Sequence, residues 1–207
     1  SLLTRSSHTL LPRAGRATAA AGAPRRALST SSDSDDGDED ETLYELRTYQ
    51  LKPERFMDYL ALTGSDAFKA RTDASKLSAF FMVEMGGVLC NSVVHLWEYD
   101  SLDQRTDVRA HLAGDAGFGE YIATIRPWLV SQDAVLTRGI LDEEFVEGAA
   151  AGSGKYMLQS FASEPSEFFF DEDSPAQNVG NFQTVIGDTS EEYRLIRAST
   201  FQQLLEG

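Results

Sequence analysis

Hydrophobic and polar positions alternate with period two from Leu43 to Leu51, placing Tyr44, Leu46 and Thr48 on one side and Glu45, Arg47 and Tyr49 on the other. That period predicts a strand. The period then changes. Phe56, Met57, Leu60, Ala67 and Phe68 recur at helical spacing after Pro53, a residue tolerated in a first helical turn, so residues 53–71 read as a helix weakened at Gly64. Residues 76–85 and 89–99 read as two strands around Gly86-Gly87, a hairpin signal because glycine reaches positive φ without a Cβ clash. Ser101-x-x-Gln104 is a capping box. Leu102, Val108 and Leu112 follow on one helical face, and Phe118, Tyr121, Ile122, Ile125 and Leu129 continue the spacing up to an interruption near Pro127. Residues 131–138 read as a closing strand.

The order over residues 43–138 is β-α-β-β-α-β, the ferredoxin-like α+β arrangement, an antiparallel sheet with both helices on one face. Strand 76–85 is apolar at nearly every position, so the other face of the sheet needs a cover as well, and a partner sheet would supply it. Beyond an expected linker at 141–154, residues 155–161 read as a strand, 163–177 as an acidic loop, 181–187 and 192–197 as a hairpin, and 199–206 as a helix. LWEYDSLDQ at 96–104 aligns without gaps to LIRASTFQQ at 195–203. Residues 155–207 therefore read as a degenerate or truncated second unit, without a first helix and stopping before a last strand.

Charge divides the chain into further segments. Residues 1–32 contain five of the 18 basic residues and none of the 33 acidic ones, the Arg-, Ser- and Ala-rich profile of a cleavable mitochondrial transit peptide. Arg26-Ala27-Leu28-Ser29 fits a matrix-protease cleavage pattern. Residues 33–41 hold seven acids among nine positions and read as a solvated spacer before a domain at 42–140. A body this acidic disfavours nucleic acid. No stretch approaches the roughly 18 apolar residues of a membrane span. The single cysteine, Cys90, excludes an intramolecular disulfide and reads as a buried, inert thiol. His111 reads as a surface residue. With one histidine expected inside the domain, no multi-histidine metal site is expected.

Tyr44-Glu45-Leu46-Arg47-Thr48-Tyr49-Gln50-Leu51-Lys52-Pro53 resembles the opening motif of the NIPSNAP domain. Val94-His95-Leu96-Trp97-Glu98-Tyr99-Asp100-Ser101-Leu102, then Arg105 and Arg126-Pro127, resemble its later motifs in the same order. The resemblance implies a fold of the dimeric α/β barrel type, in which two four-stranded sheets pack face to face as a homodimer or as two units of one chain. It also implies a location in the mitochondrial matrix and a non-enzymatic role through protein partners in mitochondrial homeostasis, linked to mitophagy or traffic. No catalytic residues carry over, and the second unit lacks the HLWEY-type motif.

By alternation, Glu45, Arg47 and Tyr49 share one face of their strand and His95, Trp97 and Tyr99 one face of theirs. The six are candidate barrel-lining residues for a small molecule. Haem or a small apolar ligand, and a monooxygenase-type activity, form the alternative to a cofactor-free scaffold. A third reading is a subunit of a larger mitochondrial assembly. Glu191-Glu192-Tyr193-Arg194-Leu195-Ile196 also resembles an autophagy-adaptor motif, which binds by adding a strand to a partner's sheet.

Overall fold

The computed structural model describes residues 2–5, 42–142, 154–162 and 176–206. The acidic spacer, the centre of the linker and most of the acidic loop lie outside the described residues. Among the described residues there are eight strands: β1 (Leu2–Arg5), β2 (Thr42–Leu51), β3 (Leu77–Met85), β4 (Ser92–Tyr99), β5 (Leu129–Leu141), β6 (Lys155–Ala162), β7 (Gln177–Ile186) and β8 (Glu191–Ala198). They close a barrel in the order β1-β3-β4-β2-β5-β7-β8-β6.

The β-α-β-β-α-β order holds for the first half. β2 is central, antiparallel to β4 and β5, and β3 adds to the far side of β4. The expected helix at 53–71 is divided. A short 3-10 turn at Pro53–Arg55 leads into α1 (Phe56–Thr63), and α2 (Lys69–Ala74) follows a second turn. Gly64 and Ser65 make the division, with the Ser65 hydroxyl accepting from the Ala67 N–H and so capping a new start. α3 (Leu102–Gly114) begins at the capping box: Ser101 Oγ accepts from the Gln104 N–H, and Gln104 Oε1 accepts from the Asp100 N–H. Asp115 caps α4 (Ala116–Ile125) in the same way. β5 is longer than the expected 131–138 at both ends, because its last residues pair with β7 rather than entering a linker.

The second half repeats the strand pattern. β6 pairs with β8 and β8 with β7, as β2 pairs with β4 and β4 with β3. α5 (Phe201–Glu206) follows β8 as α3 follows β4, and its start is capped by a reciprocal Thr200–Gln203 pair at the positions aligned with Ser101 and Gln104. The place beside β6 that corresponds to β5 is taken by β1, which runs parallel to both β6 and β3. Leu2–Arg5 belongs to the segment expected to be a cleavable leader.

The sheet is apolar on both faces, and the two faces are covered differently. The barrel interior is filled by Tyr44, Leu46, Phe81, Val94 and Leu96 from the first half against Tyr156, Leu158, Phe182 and Leu195 from the second. The partner sheet that the two-faced pattern demands is thus supplied within the chain. The outer face of the first half packs against its helices through Tyr59, Phe68, Val93, Trp97, Tyr121 and Ile125. A smaller cluster under α5 joins Met157, Ile196 and Leu204.

Two local expectations are corrected. Cys90 is exposed, not buried, because β4 begins only at Ser92 and Cys90 falls in the preceding turn, where Gly87 and Asn91 both adopt φ of 61°. The adaptor-like segment around Tyr193 and Ile196 forms β8, paired on both sides, with Ile196 fully buried. A strand with no free edge cannot be added to a partner's sheet.

Candidate functional site

Glu45, Arg47 and Tyr49 do share a face, as do His95, Trp97 and Tyr99, and the pairing of Arg47 with His95 and of Glu45 with Trp97 brings the two sets together. The face is not the one expected. They point away from the barrel interior, into the layer between sheet and helices. The reason is energetic. The barrel centre receives side chains from both sheets and would offer a charge no partner. The helix side offers Arg71 from α2 and Arg105 from α3.

Glu45 is the hub. It is 1 % exposed. Its Oε1 accepts from Arg47 Nη1 at 3.0 Å and from Arg105 Nη2 at 2.6 Å, and its Oε2 accepts from the Tyr99 hydroxyl at 3.1 Å. Burial alone would raise the Glu45 pKa, but the Arg105 hydrogen bond and the charges of Arg47 and Arg105 outweigh it and hold the carboxyl below its ordinary range. Tyr99 in turn accepts from Arg71 Nη2 at 2.7 Å. Arg71 also donates to the Ser75 hydroxyl and lies over the Trp97 ring, 3.5 Å from its centroid. Burial lowers the Arg71 pKa, against the opposing effects of Tyr99 and Glu45. Arg47 Nε donates to Tyr49 at 3.1 Å.

His95 is enclosed. Its ring stacks on Phe80 at 4.8 Å between centroids and tilts against Tyr49 at 4.9 Å, and its Nε2 meets the Tyr59 hydroxyl at 3.1 Å. Burial first, then the charges of Arg47 and Arg71, push its pKa down to about 3, so the imidazole is neutral at physiological pH. A haem iron at Nε2 would have to displace Tyr59, so this histidine does not fit axial ligation. Among the described residues no cluster of His, Cys, Asp and Glu is placed to hold a metal ion.

Beside the network lies a cleft of about 870 Å³, between the outer face of β2, β4 and β5 and helices α2 to α4. Arg47, Tyr49, His95, Trp97 and Tyr99 reach it, whereas Glu45 does not. Arg71, Arg109 and Arg126 also line it and were not among the expected site residues. Arg71 carried no signal, since it stands among other polar residues of α2, Lys69, Thr72 and Asp73. Arg126 stood in the Arg-Pro motif. Arg109 had no signal beyond its place on a helix.

Residues 44–138 match the family model described as NIPSNAP. Protein NipSnap homolog 3A from Homo sapiens is 40 % identical over 81 residues, covering 39 % of this chain and 32 % of that protein. Protein NipSnap homolog 3B from Mus musculus is 39 % identical over 125 residues, covering 60 % of this chain and 49 % of that protein. The matched part thus spans half or less of the length of these curated relatives. Among solved structures, an uncharacterized NIPSNAP domain protein from Burkholderia xenovorans is 28 % identical with a TM-score of 0.43, covering 45 % of this chain and 90 % of that one.

Proposed function

We propose that this protein, whose residues 44–138 form a NIPSNAP-family domain, is a mitochondrial binding protein that holds a small molecule in the cleft between its first sheet and its helices. The acid-free, arginine-rich residues 1–32 support the mitochondrial location. The cleft carries the binding reading: about 870 Å³ lies within the range of ligand sites, with aromatic walls and a few convergent polar groups. The state of those groups favours holding over turnover. The His95 pKa is too low for a general base or acid near neutral pH, and Glu45 is fully engaged by Arg47, Arg105 and Tyr99.

Gly119 provides a test. It is exposed where it lines the cleft, and an added Cβ there meets nothing within 4 Å, so a side chain can be introduced at this position and Gly119→Trp is expected to obstruct the cleft. Native mass spectrometry of the full chain should show a small molecule retained by the parent protein and lost in Gly119→Trp at an unchanged unfolding midpoint. Ligand-free parent protein that also binds nothing from a metabolite extract would end the reading.

A second reading, a scaffold acting through protein partners in mitochondrial homeostasis, is favoured by a different surface. Ile140 on β5 and Val185 and Ile186 on β7 are exposed on the seam between the two halves. Under this reading Ile140→Asp abolishes cross-linking of the protein to partners in intact mitochondria and leaves the cleft ligand bound. Unchanged cross-linking would remove the seam as the contact surface.

A further inference from the structure

The residues that line the cleft are unlike the rest of the chain in charge. The chain has 33 acidic and 18 basic residues, yet the cleft is lined by four arginines, Arg47, Arg71, Arg109 and Arg126, and by no aspartate or glutamate. Chance placement on so acidic a protein would give the opposite balance. Glu45 does not line the cleft and already serves two arginines and a tyrosine. The buried network therefore sets three arginines, Arg47, Arg71 and Arg105, against one carboxylate. Arg47 and Arg105 share Glu45, whereas Arg71, 7 % exposed, makes no ion pair among the described residues, and a buried guanidinium without a counter-charge is costly unless an anion completes it.

We infer that the cleft takes an anionic small molecule with an apolar body, its carboxylate or phosphate head toward Arg47 and Arg71 and its body along Trp97, Phe118 and Tyr121. This rests on the reading of the cleft as a ligand site and adds the class of ligand. Guanidinium groups suit both heads, because their planar donors match two oxygens at once. Arg47 and Arg71 both line the cleft, as does His95. Arg71 lies over the Trp97 ring and is hydrogen-bonded to Tyr99, so its orientation is set before a ligand arrives. Arg109 and Arg126 are exposed, and no ion pair engages them among the described residues. They form a local positive field at the entrance of a negative protein, which draws an anion past a surface that otherwise repels it. Aromatic and aliphatic walls supply the apolar contact. A cation meets only like charge, and a neutral apolar molecule leaves the arginines without a counter-charge.

The test is calorimetric titration of the full chain with three probes sharing one alkyl body: octanoate, octyl phosphate and octylamine. At least one anion is expected to bind at least tenfold more tightly than the amine. The anion that binds more tightly identifies the head group as carboxylate or phosphate. Raising the salt concentration should weaken binding. Arg109→Gln with Arg126→Gln, both at exposed positions, should weaken it about three- to tenfold at an unchanged unfolding midpoint. Gly119→Trp should abolish it. Equal binding of amine and anions would overturn the ligand class while leaving the cleft a ligand site. Anion binding that survives Gly119→Trp would overturn the location. No binding by any probe, in a chain that also binds nothing from a metabolite extract, would overturn both readings.

Discussion

Glu45 shows how a single buried carboxylate organises its surroundings. Replacing Glu45 by glutamine leaves Arg47 and Arg105 without the carboxylate they share and turns one of its two accepting oxygens into a donating NH2, so the arginines and Tyr99 compete for one oxygen. Glu45→Gln is therefore expected to cost about 3 kcal/mol, the range for breaking a buried ion pair from one side. Urea unfolding at pH 7 measures it, and a loss below about 1 kcal/mol would mean that water, not Glu45, balances the arginines. His95 gives a different signature. Its folded pKa of about 3 lies below its ordinary value near 6.5, so below pH 6.5 the unfolded chain takes up a proton that the folded chain refuses. Stability from this residue is complete above the unfolded value and falls as pH drops from 6.5 toward 3. Between pH 7 and 5.5 the loss is roughly 1 kcal/mol, and His95→Gln should flatten that part of the profile. Glu45 adds its own loss only at lower pH, because its folded pKa lies below the ordinary carboxylate value. At this scale the sequence disclosed which residues stand together but not which side they face. Alternation assigns Glu45, Arg47 and Tyr49 to a common face and is silent on whether helix or barrel lies against it. Deciding that needed Arg71 and Arg105, whose reach depends on helix placement.

Elements were legible where their boundary chemistry is local. The Ser101–Gln104 box starts α3 as its spacing requires, and the aligned Thr200–Gln203 pair starts α5, so a repeat thin in identity is plain in capping. Boundaries set by distant partners were not legible. β5 runs on to Leu141 because β7 is there to pair with it, and β7 begins at Gln177 for the same kind of reason, its first residues meeting β8. Gly139 marks this join. A Cβ at Gly139 would lie 2.1 Å from the carbonyl oxygen of Asn181, backbone against backbone, so no side-chain movement can relieve it. Gly139→Ala must separate β5 from β7 locally and is expected to cost about 2 kcal/mol, with amide exchange rising at Ile140 and Asn181 on either side of the seam. Wild-type exchange rates in that variant would mean that the two strands are not in close contact at this point. Gly119→Ala is the control, since a Cβ there has open space.

The whole molecule turns on how its barrel closes. Seven strands come from residues 42–198, and the gap between β3 and β6 is bridged by the four residues of β1. β1 stands where the pattern of the first half would put an antiparallel partner like β5, yet it runs parallel to both neighbours. It also belongs to the arginine-rich segment whose composition predicts removal after import. Composition and closure thus make opposite demands on Leu2–Arg5, and only the closure depends on tertiary structure, which is why nothing in the local pattern disclosed it. If β1 closes the barrel, a chain of residues 33–207 exposes the edges of β3 and β6. Unpaired edges are templates for another strand, so this shorter chain is expected to associate as its concentration rises while the full chain does not. The lost pairing along Leu2–Arg5, at four positions on β6 and two on β3, should cost on the order of 2 kcal/mol and lower the unfolding midpoint by about 4–8 °C. Light scattering across a concentration series and a thermal melt at low concentration separate the two effects. A monomer with an unchanged midpoint would mean that the barrel does not need β1, and that a chain without it keeps an open seam between its two halves. Association with an unchanged midpoint would assign β1 to guarding the edges rather than to holding the fold.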